Sequence, residues 1–256
     1  PLTMRFSTAT ARALRNNLVG LALLLAAWLV AAGFFPDYIL PSPAKVWRAA
    51  PAILDADFAP HLALTVQRVF IGFGLAFGIG SAAGILAFTL RLTEALSSAM
   101  VALQAMPGAI LGVILLLIFG IGDWVPIALV ALLTLPTIAI NTANALARRD
   151  LRLEQYMRSA GARRRDLVRY LYVPTLIPTF QSNLSLGFGL GIKVVVLGEF
   201  IGSQAGLGYL LNVAMIQFAM SAVLIYLWVI LLIMALFEGA QSLLFDLFLG
   251  KYFYPS

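Results

Sequence analysis

RRDLRLEQYMRSAGARRRDLVRYLYVPTLIP, residues 148–178, is the stretch on which the reading of this chain turns. It holds eight arginines, at Arg148, Arg149, Arg152, Arg158, Arg163, Arg164, Arg165 and Arg169, and then runs straight into an apolar segment. A short loop this basic, at the end of apolar runs, faces the cytoplasm by the positive-inside rule. Its pattern predicts a turn or two of helix over 151–160, a glycine free to take positive φ at Gly161, and a second helical pattern over 163–172 closed by Pro174 and Pro178. Two short helices joined at a glycine form a compact knob that fits a groove on a partner. A basic juxtamembrane surface attracted to anionic lipid accounts for the same charges, and the residues alone leave both readings open.

Composition sets the class. The 256 residues are 62% hydrophobic and 11% charged, with a mean hydropathy of +0.97. This excludes an ordinary soluble domain. The pI near 9.9 does not point to nucleic acid, because the arginines cluster at the ends of apolar runs rather than over an exposed face. There is no cysteine, so disulfides, thiolate metal sites and a cysteine nucleophile are excluded. The single histidine, His61, builds no metal site by itself and reads as a polar residue at a membrane boundary.

Six apolar segments, 18–35, 62–90, 96–121, 125–146, 176–201 and 221–249, approach or exceed the roughly 18 to 20 residues that a helix needs to cross a bilayer. The chain is therefore read as all-α, a polytopic membrane protein with about six transmembrane helices. Gly74, Gly78, Gly80, Gly84, Pro107, Pro136, Gly187, Gly189 and Gly191 are compatible with spans and predict close packing and kinks. Basic residues at Arg5, Arg12, Arg15, Arg91, the 147–172 loop and Lys251 fall on one side of six spans, so both termini are expected in the cytoplasm. The first segment also fits a cleaved signal peptide, but its length and the charge alternation favour a retained span. In the first outer connection, Pro41 and Pro43 predict an extended turn. A short amphipathic helix follows, with Val46, Trp47, Ala50 and Ile53 on its apolar side and Trp47 at headgroup level.

The residues of the basic loop resemble a known family, the permease subunits of bacterial ATP-binding cassette importers, in the branch that imports nitrate, taurine and aliphatic sulfonates. Arg158, Ser159, Ala160, Gly161 and Ala162 match the centre of that family's cytoplasmic signature, and Arg163 to Arg169 match its basic stretch. The Glu-Ala-Ala opening departs, with Gln155, Tyr156 and Met157 in its place and Glu154 one position early. LPSPAKVW at 40–47, MPGAILGVILLLIFGIGDW at 106–124 and GEFIGSQAGLGYLL at 198–211 are similar to further family elements in the expected order. The resemblance implies a type I importer permease fold in a bacterial inner membrane, built as one transmembrane domain over 1–256. Within it lie a first span and outer segment (1–61), a permease core (62–249) and cytoplasmic coupling helices (147–172). It also implies a second permease copy as homodimer partner, two cytoplasmic ATP-binding subunits that dock on Glu154 to Arg163, and a solute-binding protein outside. ATP and Mg are expected in the partner, because no GxxxxGK[ST] phosphate loop occurs in this chain.

Charged and polar residues inside the spans are the candidates for a pathway. Lys193 sits mid-segment, where an unpaired ammonium costs about 2.5 to 3.5 kcal/mol. It is read as touching an anionic substrate, pairing with Glu238, or meeting a carboxylate across a dimer. Glu199, Gln104, Met106 and Asn141 are further candidates, with Asn144 and the cluster Gln181, Ser182, Asn183 and Ser185 behind them. Arg68 is expected to snorkel toward headgroups. A channel or secondary transporter is the alternative class, but no duplication between halves supports it. A membrane enzyme is disfavoured by the scattered carboxylates, single histidine and absent cysteine.

Overall fold

A computed structural model describes residues 19–20 and 22–253, with side chains through residue 241. The flanking residues Arg5, Arg12 and Arg15 lie outside these, as does the side chain of Lys251. Among the described residues every regular element is helical. The helices are α1 (Ala22–Phe34), α2 (Pro43–Ile53), α3 (Phe58–Thr89), α4 (Thr93–Gln104), α5 (Gly108–Phe119), α6 (Trp124–Ala147), α7 (Leu151–Ser159), α8 (Arg164–Leu167), α9 (Val173–Gly202), α10 (Leu207–Ile216) and α11 (Met220–Phe253). A π-helical turn, Val168–Tyr172, joins α8 to α9. The all-α polytopic class is borne out. Among the described residues four helices are long and apolar enough to cross a membrane, or up to five if the bent pair α4–α5 is one span. The first segment contributes the shorter α1.

The third expected span, 96–121, is two helices bent by 86°. Pro107 is the cause. It has no N–H to continue the ladder and sits at φ −62°, ψ 124°, so α4 ends at Gln104 and α5 starts at Gly108. Pro174 and Pro178 behave differently from expectation and do not close the basic stretch. Pro174 is the second residue of α9, where a missing N–H costs little, and the wider π turn before it accommodates the ring. The helix from Arg164 thus runs on to Gly202 as one 39-residue rod.

The chain divides into two compact units. The first holds the residues up to Phe58 with Leu211–Trp228. Here Trp28 donates from Nε1 to the Pro41 carbonyl at 3.1 Å and stacks on Trp228, while Phe58 stacks on Tyr226. Helix α2 is amphipathic as expected, with Val46 buried, but Trp47 is 82% exposed. Lys45 pairs with Asp37 beside it.

The second unit, Ala59–Leu210 with the residues from Val229 on, contains α6 at its centre. Gly72, Gly80 and Gly84 recur every four or eight residues along α3 and let it lie directly on α6. A Cβ at Gly84 would sit 2.6 Å from the Ala139 carbonyl oxygen. Gly198 and Gly202 do the same for α9, against Pro126 and Val125. Of the glycines singled out in the sequence, Gly80, Gly84 and Gly187 make close approaches, whereas Gly74, Gly78 and Gly189 face open space.

Candidate functional site

The basic loop folds into an elbow built from local rules. Asp150 caps α7, its Oδ1 accepting from the N–H groups of Arg152 (2.9 Å) and Leu153 (3.1 Å). Gly161, at φ +82°, ends the helix in a Schellman motif, with Ala162 N–H donating to the Met157 carbonyl and Gly161 N–H to that of Arg158. Asp166 then accepts from the Arg163 N–H at 2.8 Å and starts α8. One residue is turned inward. Glu154 is 6% exposed and receives Arg149 Nε (2.6 Å), Arg158 Nη2 (2.7 Å) and Nε (3.1 Å), and the Tyr172 hydroxyl (3.2 Å). Burial raises the pKa of its carboxyl, but these hydrogen bonds, Arg158 first, more than offset it and hold the group below its ordinary 4.5. Arg149 also lies over the ring of Phe88 at 4.8 Å, tying the elbow to the end of α3. Gln155, Tyr156, Ser159, Ala160 and Arg163 are exposed, and Met157 and Ala162 are half-buried. Glu154 was expected to share an outward contact with these residues. It is instead the clasp behind them, because three donors converge on it from within the chain.

A second constellation was missed in the sequence. Arg68, expected to snorkel, is 3% exposed and donates from Nη1 to Glu199 Oε1 and to the Ala205 carbonyl, both at 2.7 Å, and from Nε to Asp123 Oδ1 at 3.1 Å. It cannot reach headgroups, because two carboxylates hold it inside. Glu199 is fully buried and also accepts from Thr65 Oγ1 and, at 2.9 Å, from Gly208 N–H. The Gly206 N–H donates to His61 Nδ1 at 2.9 Å, and Leu207 N–H to Thr65 Oγ1 at 2.8 Å. Both Glu199 oxygens and all three Arg68 side-chain nitrogens are occupied, so the knot clips the 203–206 loop to α3 and α9. Glu199, taken as a pathway candidate, is sealed within it and meets no open cavity. The signal available in the sequence was Arg68 itself, since a charge in an apolar segment calls for a carboxylate partner.

The remaining span candidates do not converge on one site. Gln104 donates to Thr137 Oγ1 at 3.0 Å, and Asn141 to Asn183 Oδ1 at 2.8 Å, as cross-helix ties. Met106 is half-exposed. Asn141 also lines an open groove of about 600 Å³ with Asn144, Ser182 and Leu186. Lys193 is exposed seven residues beyond Leu186, on the same face of α9 as Leu190. It makes no ion pair among the described residues, and the considered pairing with Glu238 is not formed.

Comparison with known proteins decides among the transporter classes. The family described as "binding-protein-dependent transport system inner membrane component" matches residues 74–248, more than half of the chain. The chain belongs to this family. The riboflavin transport system permease protein RibX of Chloroflexus aurantiacus is 34% identical over 77% of this chain and 75% of its own length. The formylaminopyrimidine transport permease protein ThiX of Halalkalibacterium halodurans is 29% identical over 77% and 79%. The putative aliphatic sulfonates transport permease protein SsuC of Escherichia coli is 32% identical over 73% of each chain. Among solved structures, a chain of the MetNI methionine ABC transporter superposes with a TM-score of 0.65 at 20% identity, covering 75% of this chain and 95% of that one.

This permease is thus a membrane subunit of an ATP-binding cassette importer, as the resemblance of its elbow implied. The elbow, the outer loop 198–211 and the kinked 106–124 element all fall inside the matched region. The Arg68–Asp123–Glu199 knot draws on the last two of these for its carboxylates, and residue 68 itself lies just before the matched region.

Proposed function

We propose that the permease works as a homodimer whose two elbows dock on two cytoplasmic ATPases. In this reading a solute-binding protein delivers cargo from outside, both termini are cytoplasmic, and ATP and Mg belong to the ATPases. The observation that carries the reading is the inward Glu154 clasp. It fixes α7 as a rigid body while leaving Gln155, Tyr156 (72% exposed) and Ser159 facing outward. A rigid outward knob suits transmission of motion by contact, since a tether would absorb the movement it received. ATPase closure then moves the elbows, and the spans around a central cavity alternate between outward and inward openings. The 1–256 chain acts in this as one transmembrane domain.

For cargo we favour a small anion of the nitrate, sulfonate or taurine kind. Lys193 supports this, as an exposed ammonium on an otherwise apolar face of a span with no ion-pair partner among the described residues. Gln104, Met106 and Asn141 remain pathway candidates at the level of helix faces, with Lys193 the charged member.

The docking role is tested by capture of a phosphate-loop ATPase from the host membrane proteome with the detergent-solubilised permease. Gly161→Pro is the comparison. Proline cannot take φ +82° and deletes the N–H that bonds to Arg158. Wild type is expected to retain the ATPase and Gly161→Pro to lose it. Equal capture by both removes the elbow as the dock.

A further inference from the structure

Facing the elbow across an open groove of about 1010 Å³ is the turn between α3 and α4. Helix α3 ends there in the same Schellman geometry as α7, with Leu92 N–H donating to the Ala87 carbonyl and Arg91 N–H to that of Phe88. The residue at the left-handed position differs. Where α7 uses Gly161, α3 uses Arg91 at φ +60°, a conformation that disfavours any Cβ-bearing side chain. Arginine at a helix C-terminus complements the helix dipole and so offsets part of this strain, and it also places a charged side chain on the groove.

The groove is lined by charges of both signs. Arg91, Arg149, Arg158 and Arg164 line it together with Glu94 and Glu154. Arg149 and Arg158 are engaged by Glu154. Arg91 and Arg164 are exposed and make no ion pair among the described residues, and Glu94 is the single opposing carboxylate left over. The groove therefore carries two guanidinium charges in excess. Phe88 and Leu92 supply an apolar wall beside them. It opens where α3 ends at Thr89 and α6 at Ala147, at the ends of two helices long and apolar enough to cross a membrane. Guanidinium groups bind phosphate oxygens with paired N–H donors, and basic pockets at helix ends on the cytoplasmic face suit anionic headgroups.

We infer that this groove is a binding site for a phosphate group, held by Arg91 and Arg164. An anionic phospholipid headgroup and a small soluble phosphate ester share that chemistry. The site needs the groove to lie on the cytoplasmic side, but it does not need the elbow to dock an ATPase.

The test uses the whole chain in nanodiscs of phosphatidylcholine with or without phosphatidylglycerol, with retained lipid counted by native mass spectrometry. Wild type is expected to retain phosphatidylglycerol selectively, and Arg91→Gln/Arg164→Gln to retain at least fivefold less. Arg152→Gln/Arg165→Gln removes the same charge outside the groove and is expected to behave as wild type. In phosphatidylcholine discs, glycerol phosphate is titrated against the melting temperature. A shift lost in the groove variant supports the soluble source, and selective lipid retention without a shift supports the lipid source. Arg91→Gly separates binding from folding, because it relieves the left-handed strain: it is expected to melt higher in phosphatidylcholine and still lose the phosphate ligand. Three results overturn the inference: no selective retention together with no shift, equal loss in both double variants, or loss of ATPase capture in the groove variant with lipid retention and melting response unchanged. The last assigns the groove to a protein interface.

Discussion

Replacing Arg68 by Met should be among the most damaging single changes in the second unit, and adding Glu199→Gln should partly repair it. Arg68→Met leaves the Glu199 carboxylate fully buried with only Thr65 and Gly208 as donors. Breaking a buried pair from one side costs about 3–5 kcal/mol, because the remaining charge is uncompensated. Glu199→Gln alone leaves Arg68 with Asp123 and the Ala205 carbonyl, but turns an amide NH₂ toward a donor, at about 2–3 kcal/mol. In the double variant no buried charge is stranded, since Asp123 is exposed to water, and the Gln oxygen still accepts from Gly208, so its cost is about 2–3 kcal/mol rather than the sum. At roughly 2–4 °C per kcal/mol for a chain of this size, Arg68→Met lowers the melting temperature by roughly 10 °C, and the second substitution recovers several degrees. Melting in detergent followed by tryptophan fluorescence, with size-exclusion profiles as control, measures all four states. An additive double variant would refute the argument that the knot is a coupled ion pair.

Two further outcomes follow from the elbow and from Lys193. Because the folded Glu154 has its pKa held below 4.5, its contribution is fully present above that value and is lost as pH falls through the depressed one. The melting-temperature gap between wild type and Glu154→Gln should stay constant from about pH 8 to 5.5 and close only below the ordinary carboxylate value; a gap that closes between pH 8 and 6 contradicts the clasp. Lys193→Met should reduce uptake of an anionic cargo by about tenfold or more, the effect of losing roughly 1.4 kcal/mol of attraction, while leaving assembly intact. Undiminished transport by a well-expressed variant takes Lys193 out of the pathway.

The elbow was legible because its signals are local. Asp150, Gly161 and Asp166 each act within four residues of themselves, and the apolar runs on either side set its place in the membrane. The long-range knot was not legible in the same way. Arg68 meets Asp123 and Glu199 across 55 and 131 residues, and periodicity carries no trace of such a pairing. Prolines were legible in part. The kink expected at Pro107 is there, as a bend of 86°, while Pro174 is absorbed by a helix it was expected to end. Glycines gave packing in general without saying where. Gly72 and Gly84 touch α6 and Gly74 and Gly78 do not, a distinction set by which face of α3 turns inward.

The rod from Arg164 to Gly202 gives the permease a mechanical property that neither end has alone. At about 1.5 Å per residue, its 39 residues reach close to 58 Å, with Tyr172 of the clasp near one end and Glu199 of the knot near the other. It is a lever with a gripped handle and a gripped tip. From Tyr172 to Glu199 the lever spans about 40 Å, so a tilt of about 10° at Tyr172 sweeps Glu199 by roughly 7 Å. The π turn Val168–Tyr172 lies outside that span, on the side of α8, so its stiffness sets how much of a movement of α8 enters the lever at all.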